Sequence, residues 1–319
     1  RSKFINKFSV CVKFNDGYEK RPFNNLDDQS AGIGFRDKLT LKFKNLEWIS
    51  GLEIISESYL WKIDTTGVSL NKNRELRYHF NLFSLIYYKP SEKLNISLAG
   101  ALNHSAYQLK DLFPENGNQS GKRIFPLIIS PRLGINFAPD DHLAFYASAG
   151  KGFSLPSPEE TLLPGGDVNP DIEPEQGWQI ETGFRVALFN RRCEIDATIY
   201  HIGLHNLLVT KRLTEDIFTG INAGKTNHTG FEILMNAGIL KYRNFPGFID
   251  ATISYTASLN RFVEFEDDGQ VFNGNELPGI PRQMGQISLV WKPMEFIQAN
   301  IQMQYTGKQY VNDQNTLDY

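Results

Sequence analysis

The sequence predicts an all-β chain, a transmembrane antiparallel β-barrel, on three observations. Apolar and polar residues alternate with a period of two through repeated stretches. The connections between stretches are alternately short and long. The clearest stretches run to about ten residues, the length a tilted strand needs to cross hydrocarbon and roughly twice that of a usual soluble strand. A large soluble all-β protein with elaborated loops shares the alternation and remains the alternative.

In chain order, shorter or noisier runs occupy residues 8–14, 39–43, 46–54, 80–88 and 94–102. Leu127, Ile129, Pro131, Leu133, Ile135 and Phe137 then oppose Ser130, Arg132, Gly134 and Asn136, and residues 143–149 follow. Trp178, Ile180, Thr182, Phe184, Val186 and Leu188 oppose Gln179, Glu181, Gly183 and Arg185. Runs at 195–199 and 231–239 lead to Ile249, Ala251, Ile253, Tyr255 and Ala257, set against Asp250, Thr252, Ser254 and Thr256. After 287–291 the last run opposes Ile297, Ala299, Ile301, Met303 and Tyr305 to Gln298, Asn300, Gln302 and Gln304. The total is about thirteen strands. The polar faces are rich in Gln, Asn, Ser, Thr and Gly, which suit a wet or plugged lumen. Ile180, Phe184, Val186, Ile301 and Met303 are expected to face lipid, and Gln302 the lumen.

Short connections are expected at 44–45, 89–92, 138–141, 190–192, 241–246 and 292–294, and long polar ones at 15–30, 62–75, 110–122, 154–176, 211–227 and 264–279. Tight turns on one rim and long loops on the other match a membrane barrel with periplasmic turns and extracellular loops. In the segment 154–176, Pro156, Pro158, Pro164, Pro170 and Pro174 remove amide donors and fix backbone angles. It is expected to fold back as a stiff excursion that walls an outer vestibule.

The 319 residues allow two average domains or one large barrel. A 41% hydrophobic and 13% aromatic composition excludes a disordered or collagen-like chain. With 33 basic and 36 acidic residues the chain has no overall positive field, so no nucleic-acid partner is expected. No apolar run approaches the roughly 18 residues of a spanning helix. Barrel strands, by contrast, average out of a mean hydropathy of -0.35. The start at Arg1-Ser2-Lys3-Phe4 lacks the regions of a secretory leader, so either a leader was removed or the chain begins inside a longer gene product.

Sites of other kinds find little support. Cys11 and Cys193 are too far apart in sequence for a zinc or redox motif. His201 and His205 on a strand would sit ~13 Å apart, too far to share a metal. Gly150-Lys151-Gly152 and Gly165-Gly166-Asp167 precede no helical pattern and read as loop glycines. Glu159, Glu160, Asp167, Asp171, Glu173 and Glu175 lack calcium-loop spacing and read as a solvated loop. No serine, histidine and acid arrangement carries a nucleophile signature. The expectation is a non-enzyme with no catalytic residue, metal or cofactor.

Four motifs bring a family into view. Phe145-Tyr146-Ala147-Ser148-Ala149-Gly150-Lys151-Gly152-Phe153-Ser154-Leu155-Pro156-Ser157 is followed by Asn169-Pro170-Asp171-Ile172-Glu173-Pro174-Glu175 and Glu181-Thr182-Gly183-Phe184-Arg185. Asn222-Ala223-Gly224-Lys225-Thr226 with Gly230-Phe231-Glu232, then Leu277-Pro278-Gly279-Ile280-Pro281, then Tyr305-Thr306-Gly307-Lys308-Gln309-Tyr310 complete the set. Their order across about half the chain resembles the barrel of TonB-dependent outer-membrane receptors.

That resemblance implies a 22-stranded outer-membrane barrel closed by an amino-terminal plug. Through the plug, the TonB-ExbB-ExbD complex would energise uptake of a scarce nutrient. Residues 1–319 then read as a partial barrel domain, with the plug and the terminal strands outside it. The Asn169 to Glu175 motif is similar to that of receptors for ferric siderophores and related iron complexes. A glycan or cobalamin importer, a passive porin or adhesin-like barrel, and a soluble all-β binding protein are the other readings. Lys20, Arg21, Arg74, Lys110, Lys122, Arg123, Lys211, Arg212 and Arg261, with Tyr18, Phe23, Tyr107, Phe113 and Phe218, fall in or beside the expected outer loops. They are the candidates to contact an anionic iron complex by charge and stacking, set against loop solvation and an interfacial aromatic girdle.

Overall fold

The computed structural model describes residues 3–22, 24–65, 67–157, 160–161, 169, 171–214, 217–222, 224–240, 247–267 and 269–319. At 116, 210–214, 217–219, 239 and 240 it describes the backbone alone. The chain opens with five long strands, β1 (Lys3–Lys20), β2 (Asn25–Lys42), β3 (Leu46–Thr65), β4 (Val68–Ser91) and β5 (Leu94–Asp111). The short β6 (Gly121–Ile124) pairs with the end of β5. Next come β7 (Ile128–Phe137), β8 (Leu143–Ser154), β9 (Glu175–Leu188) and β10 (Cys193–His205). A separate hairpin, β11 (Leu208–Thr214) with β12 (Ile217–Asn222), precedes β13 (Lys225–Leu240) and β14 (Phe248–Glu264). A two-residue pair, β15 (Glu266–Asp267) with β16 (Gln270–Val271), leads to β17 (Gln283–Met294) and β18 (Ile297–Thr306). Every described pairing is antiparallel, and thirteen strands follow one another in chain order across a single sheet, β6 lying off that path. Among the described residues no helix is long and apolar enough to cross a membrane.

The two-residue period becomes two chemically distinct faces because directly paired residues lie on the same side of a sheet. Val10 faces Phe35, Phe35 faces Ile54 and Ile54 faces Phe80. Farther on, Leu98 faces Leu133 and Phe145 faces Phe184. These side chains are largely exposed, Phe8 at 61% and Ile301 at 57%, as a hydrocarbon-facing belt requires. The opposite face carries the Arg36, Glu53, Asn81, Asn103 row, joined by an Arg36–Glu53 ion pair and an Asn81–Asn103 hydrogen bond. Ile180, Phe184, Val186, Ile301 and Met303 share the apolar face, and Gln302 the polar one.

Several expected boundaries are corrected. Residues 15–20, 25–30, 62–65 and 68–75 are paired strand: Asn15 faces Ser30, Lys20 faces Asn25, and Thr65 faces Val68. These hairpins outrun the hydrocarbon, so both faces meet water and the alternation that marks a strand fades. The 211–227 segment folds as the β11–β12 hairpin and enters β13 at Lys225. Pro90 and Pro293, assigned to turns, lie inside β4 and β17. Register shifts between Tyr88 and Ser91 and between Trp291 and Met294 absorb the missing amide donors.

Short connections gather on one rim and long ones on the other. The buried core lies on the polar face near the long-connection rim, where Trp61, Tyr107, Leu109, Phe125 and Ile172 are all under 9% exposed. A second packed group, Phe262 and Phe265 with Val209, Phe272 and Leu277, sits farther along the same rim. The sheet therefore buries little across its span and packs its connections onto one end.

Candidate ligand vestibule

At the long-connection rim, described residues of the segments 112–127, 155–174, 206–224, 265–282 and 307–319 tie these segments to the wall and to one another. Beyond the apolar belt of β4 and β5, Tyr107 stands on the polar face between Arg77, whose guanidinium lies 4.1 Å from its ring centroid, and Phe125, edge-on at 4.9 Å. Its hydroxyl donates to the Pro156 carbonyl at 3.3 Å. Burial pushes the phenol pKa up to about 12, so it stays a donor. Beside it, Glu75 is 1% exposed and accepts from Arg77, and burial holds its carboxyl above the usual carboxylate range against the pull of that guanidinium.

The Asn169 to Glu175 motif acquires a physical role here. Arg123 Nη2 donates to the Ile172 carbonyl at 2.7 Å and meets Glu173 Oε1 at 3.1 Å. Asn222 completes the clamp by accepting from the Glu173 amide and donating to the Glu173 carbonyl, both at 2.8 Å. Asn169 Nδ2 donates to the Gly220 carbonyl at 3.2 Å, and the Leu208 amide donates to Glu175 Oε2 at 3.2 Å. Ile172 and Pro174 are fully buried. The carboxylates read from sequence as a solvated loop are therefore partly spent on holding the loop between β6 and the β11–β12 hairpin. The middle of this loop, with Pro158, Pro164 and Pro170, lies outside the described residues.

The neighbouring connections are stitched in the same way. Asn315 donates to the Glu276 carbonyl at 2.8 Å and accepts from the Glu276 amide at 2.6 Å, while Asn275 donates to the Asp313 carbonyl at 2.8 Å. Burial, helped by the nearby Asp267 charge, raises the Asp313 pKa.

The sequence candidates do not converge on one point. Tyr107 and Arg123 are engaged inside the chain. Arg74 and Lys110 face each other on the apolar side of the sheet, above its belt, pointing away from the packed loops. Tyr18, Lys20 and Arg261 share that side. Arg21 lies in the first hairpin turn, donating to Glu19 at 2.8 Å. Phe113 is half-buried in the 112–127 connection, its amide bound to Asp111. Arg212 and Phe218 pair across β11 and β12, while their side chains, like Phe23, lie outside the described residues. Sequence reasoning missed the stacked Tyr59 and Trp61, 5.3 Å apart on the polar face, because the readable alternation of β3 stops at residue 54.

Among the described residues this arrangement offers hydrogen bonding, charge and aromatic surface. Among the described residues there is no group of three or more His, Cys, Asp or Glu able to hold a metal. His201 contacts Thr229 and His205 contacts the Gln176 carbonyl, each serving its own strand neighbour.

Comparison with known proteins follows the same lines. The family profile described as TonB dependent receptor-like, beta-barrel matches residues 14–319. The probable TonB-dependent siderophore receptor PiuA of Acinetobacter baumannii is 22% identical over 198 residues, covering 59% of this chain and 26% of that protein. The ferric citrate transporter FecA in its unliganded form superposes with a TM-score of 0.73 at 14% identity, over 99% of this chain and 48% of that one. The ferric yersiniabactin uptake receptor FyuA of Yersinia pestis gives 0.68 at 15% identity, over 99% of this chain and 49% of that one. The chain thus spans about half the length of these solved structures and superposes on them almost end to end.

Proposed function

Because this chain belongs to the TonB-dependent receptor family, whose members are outer-membrane β-barrels that transport and do not catalyse, we propose that it forms barrel wall and outer vestibule of a receptor importing a ferric siderophore or related iron complex. The observation that supports this most is the rim itself. Four connections and the segment that follows β18 are clamped side by side over the polar face, which supports a preorganised surface at the end of a wall whose other face is apolar. Relatives named for ferric citrate, ferric yersiniabactin and siderophores favour an iron complex over a glycan or cobalamin.

In this reading Arg21 and Phe113 are ligand contacts, and Arg212 and Phe218 extend them on the β11–β12 hairpin. Tyr107 and Arg123 act indirectly by holding the 155–174 loop. A plug domain supplied by the longer protein would fill the lumen and engage the TonB-ExbB-ExbD complex. Deletion of the full-length gene should abolish growth on one ferric complex when a panel of ferric complexes, cobalamin and glycans is supplied in turn. Loss confined to cobalamin or a glycan, or no loss, would overturn the iron reading. Removing residues 163–169 from the full-length receptor should weaken surface binding of the complex whose uptake is lost while the barrel still assembles.

A further inference from the structure

On the membrane side of the sheet, above the apolar belt, β3 to β6 carry a group of cations that the vestibule does not use. Lys62 faces Lys72, Arg74 faces Lys110, and Lys122 faces Gln108, the next residue on the same side as Lys110. Beyond Tyr78, the charged residues on this side of these strands are Lys62, Asp64, Lys72, Arg74, Lys110 and Lys122. Asp64 takes Lys62 at 3.4 Å, and Asp27 of β2 stands opposite the same lysine. Lys72, Arg74, Lys110 and Lys122 are exposed and make no ion pair or side-chain hydrogen bond among the described residues. Glu75 and Asp111 belong to the opposite face, and Glu115 lies in the turn Pro114–Asn116 that follows β5.

Directly opposed like charges destabilise a strand pair, so the Arg74–Lys110 pairing is unfavourable for the wall alone. Protection of a sheet edge does not account for it, because β4 and β5 are each paired on both sides. On the same side, Tyr78, Ala106 and Ile124 form one row, with Phe80 next below Tyr78. An exposed tyrosine at the end of an apolar belt marks the level between hydrocarbon and headgroups. Lys122 stands one row above Tyr78, and Arg74 with Lys110 two rows above, about 5 and 10 Å along the membrane normal at the usual barrel tilt. That is the depth of lipid headgroups. Ammonium groups on flexible stems and the forked donors of a guanidinium both suit phosphate oxygens.

We propose that Lys72, Arg74, Lys110 and Lys122 form a docking site for the phosphate groups of an anionic outer-leaflet lipid, whose acyl chains lie against Tyr78, Phe80 and Ile124. A soluble anion would leave the apolar row beneath the charges without a role, and an acidic protein would have to displace lipid from the same wall. Continuity between the cations and the belt therefore selects a lipid. The inference rests on the placement of the barrel in the membrane and is independent of which complex is imported.

The experiment uses the purified full-length receptor in neutral detergent micelles. An acylated disaccharide lipid bearing two phosphates, and the same lipid after phosphatase treatment, are titrated in turn, and bound lipid is counted by native mass spectrometry. The phosphorylated lipid should bind at least about tenfold tighter. Arg74→Gln with Lys110→Gln should remove at least about tenfold of its affinity, as should Lys72→Gln with Lys122→Gln. Lys44→Gln with Lys89→Gln, at the short-connection rim, should leave it within about twofold. In lipid-free micelles the Arg74 and Lys110 double variant should unfold at no lower temperature than the parent, because a like-charge pair is gone. With phosphorylated lipid added, the parent should be the more stable. The site is refuted by equal affinity for the two lipids or by affinity unchanged in both variants. It is also refuted by an equal loss in the short-rim control, which would mean net charge alone, or by a lower lipid-free midpoint, which would mean that the pair serves the wall itself. Competition by inorganic phosphate at the lipid's own concentration would make it a soluble-anion site. Uptake of a ferric complex is read separately, in the growth panel.

Discussion

The ring of Tyr146 lies over Gly183, its cross-strand partner on the polar face, so closely that a Cβ built on the glycine would fall 2.6 Å from both Cζ and the hydroxyl oxygen. That position lets the hydroxyl reach Asp196 Oδ1 at 2.7 Å while the Arg185 guanidinium covers the ring at 4.8 Å. The same relation recurs between Tyr200 and Gly230 and between Phe83 and Gly51. Each time an aromatic ring shields the backbone that glycine leaves bare.

Gly183→Val should therefore push the Tyr146 ring off its strand, crowd the Ala197 carbonyl and break the Asp196 contact, costing about 1–3 kcal/mol in unfolding from lipid. Gly152, with nothing within 4 Å of its built Cβ, is the control expected to tolerate the same change. Equal losses at both sites would show that the ring has no such role.

Lipid exposure can be read from charge placed at single positions. Phe184→Arg or Ile301→Arg should cost about 2–4 kcal/mol near the bilayer midplane, whereas Gln302→Arg on the polar face should be tolerated far better. Refolding into lipid vesicles checks this, and matched destabilisation at Ile301 and Gln302 would reverse the face assignment.

The Asn222 clamp on Glu173 gives a test of loop order. Asn222→Ala removes hydrogen bonds to both backbone groups of Glu173 and should loosen residues 171–175 by about 1–3 kcal/mol. Faster amide exchange there, with the strand amides of β9 unchanged, is the expected outcome. Unaltered exchange would shift the clamping role to Arg123.

Glu75 makes the rim sensitive to pH. Its carboxyl is raised above the ordinary value, so the folded chain holds the proton more tightly than the unfolded one. The resulting stability is fully present below the ordinary carboxylate value and is lost as pH rises through the raised one. The thermal midpoint of the full-length protein should rise as pH falls from about 7 to about 5, relative to Glu75→Gln. Parallel pH profiles of the two proteins would exclude Glu75 as the source.

Arg74 and Lys110 show where sequence reading met its limit. Both are charged and close to long connections, so both were ligand candidates, yet strand parity turns them to the side away from the vestibule. Parity was hidden because β4 continues beyond the hydrocarbon, where water on both faces removes the selection that makes alternation visible. The polar-face positions of Arg36 and Lys38 were readable in principle, since those residues lie on a strand whose other face holds Ile33 and Phe35.

By itself the sequence determined the all-β class, the strand path, the faces of the clear runs and a family resemblance, because each is written in local periodicity or contiguous motifs. Only the tertiary structure decided that Tyr107 and Arg123 hold the loop through Pro156, Ile172 and Glu173, partners 49 or 50 residues away in the chain. It likewise decided that Arg74 stands opposite Lys110. Pairings of that kind depend on how hairpins register and where loops fold back, and no local pattern of side chains encodes either one.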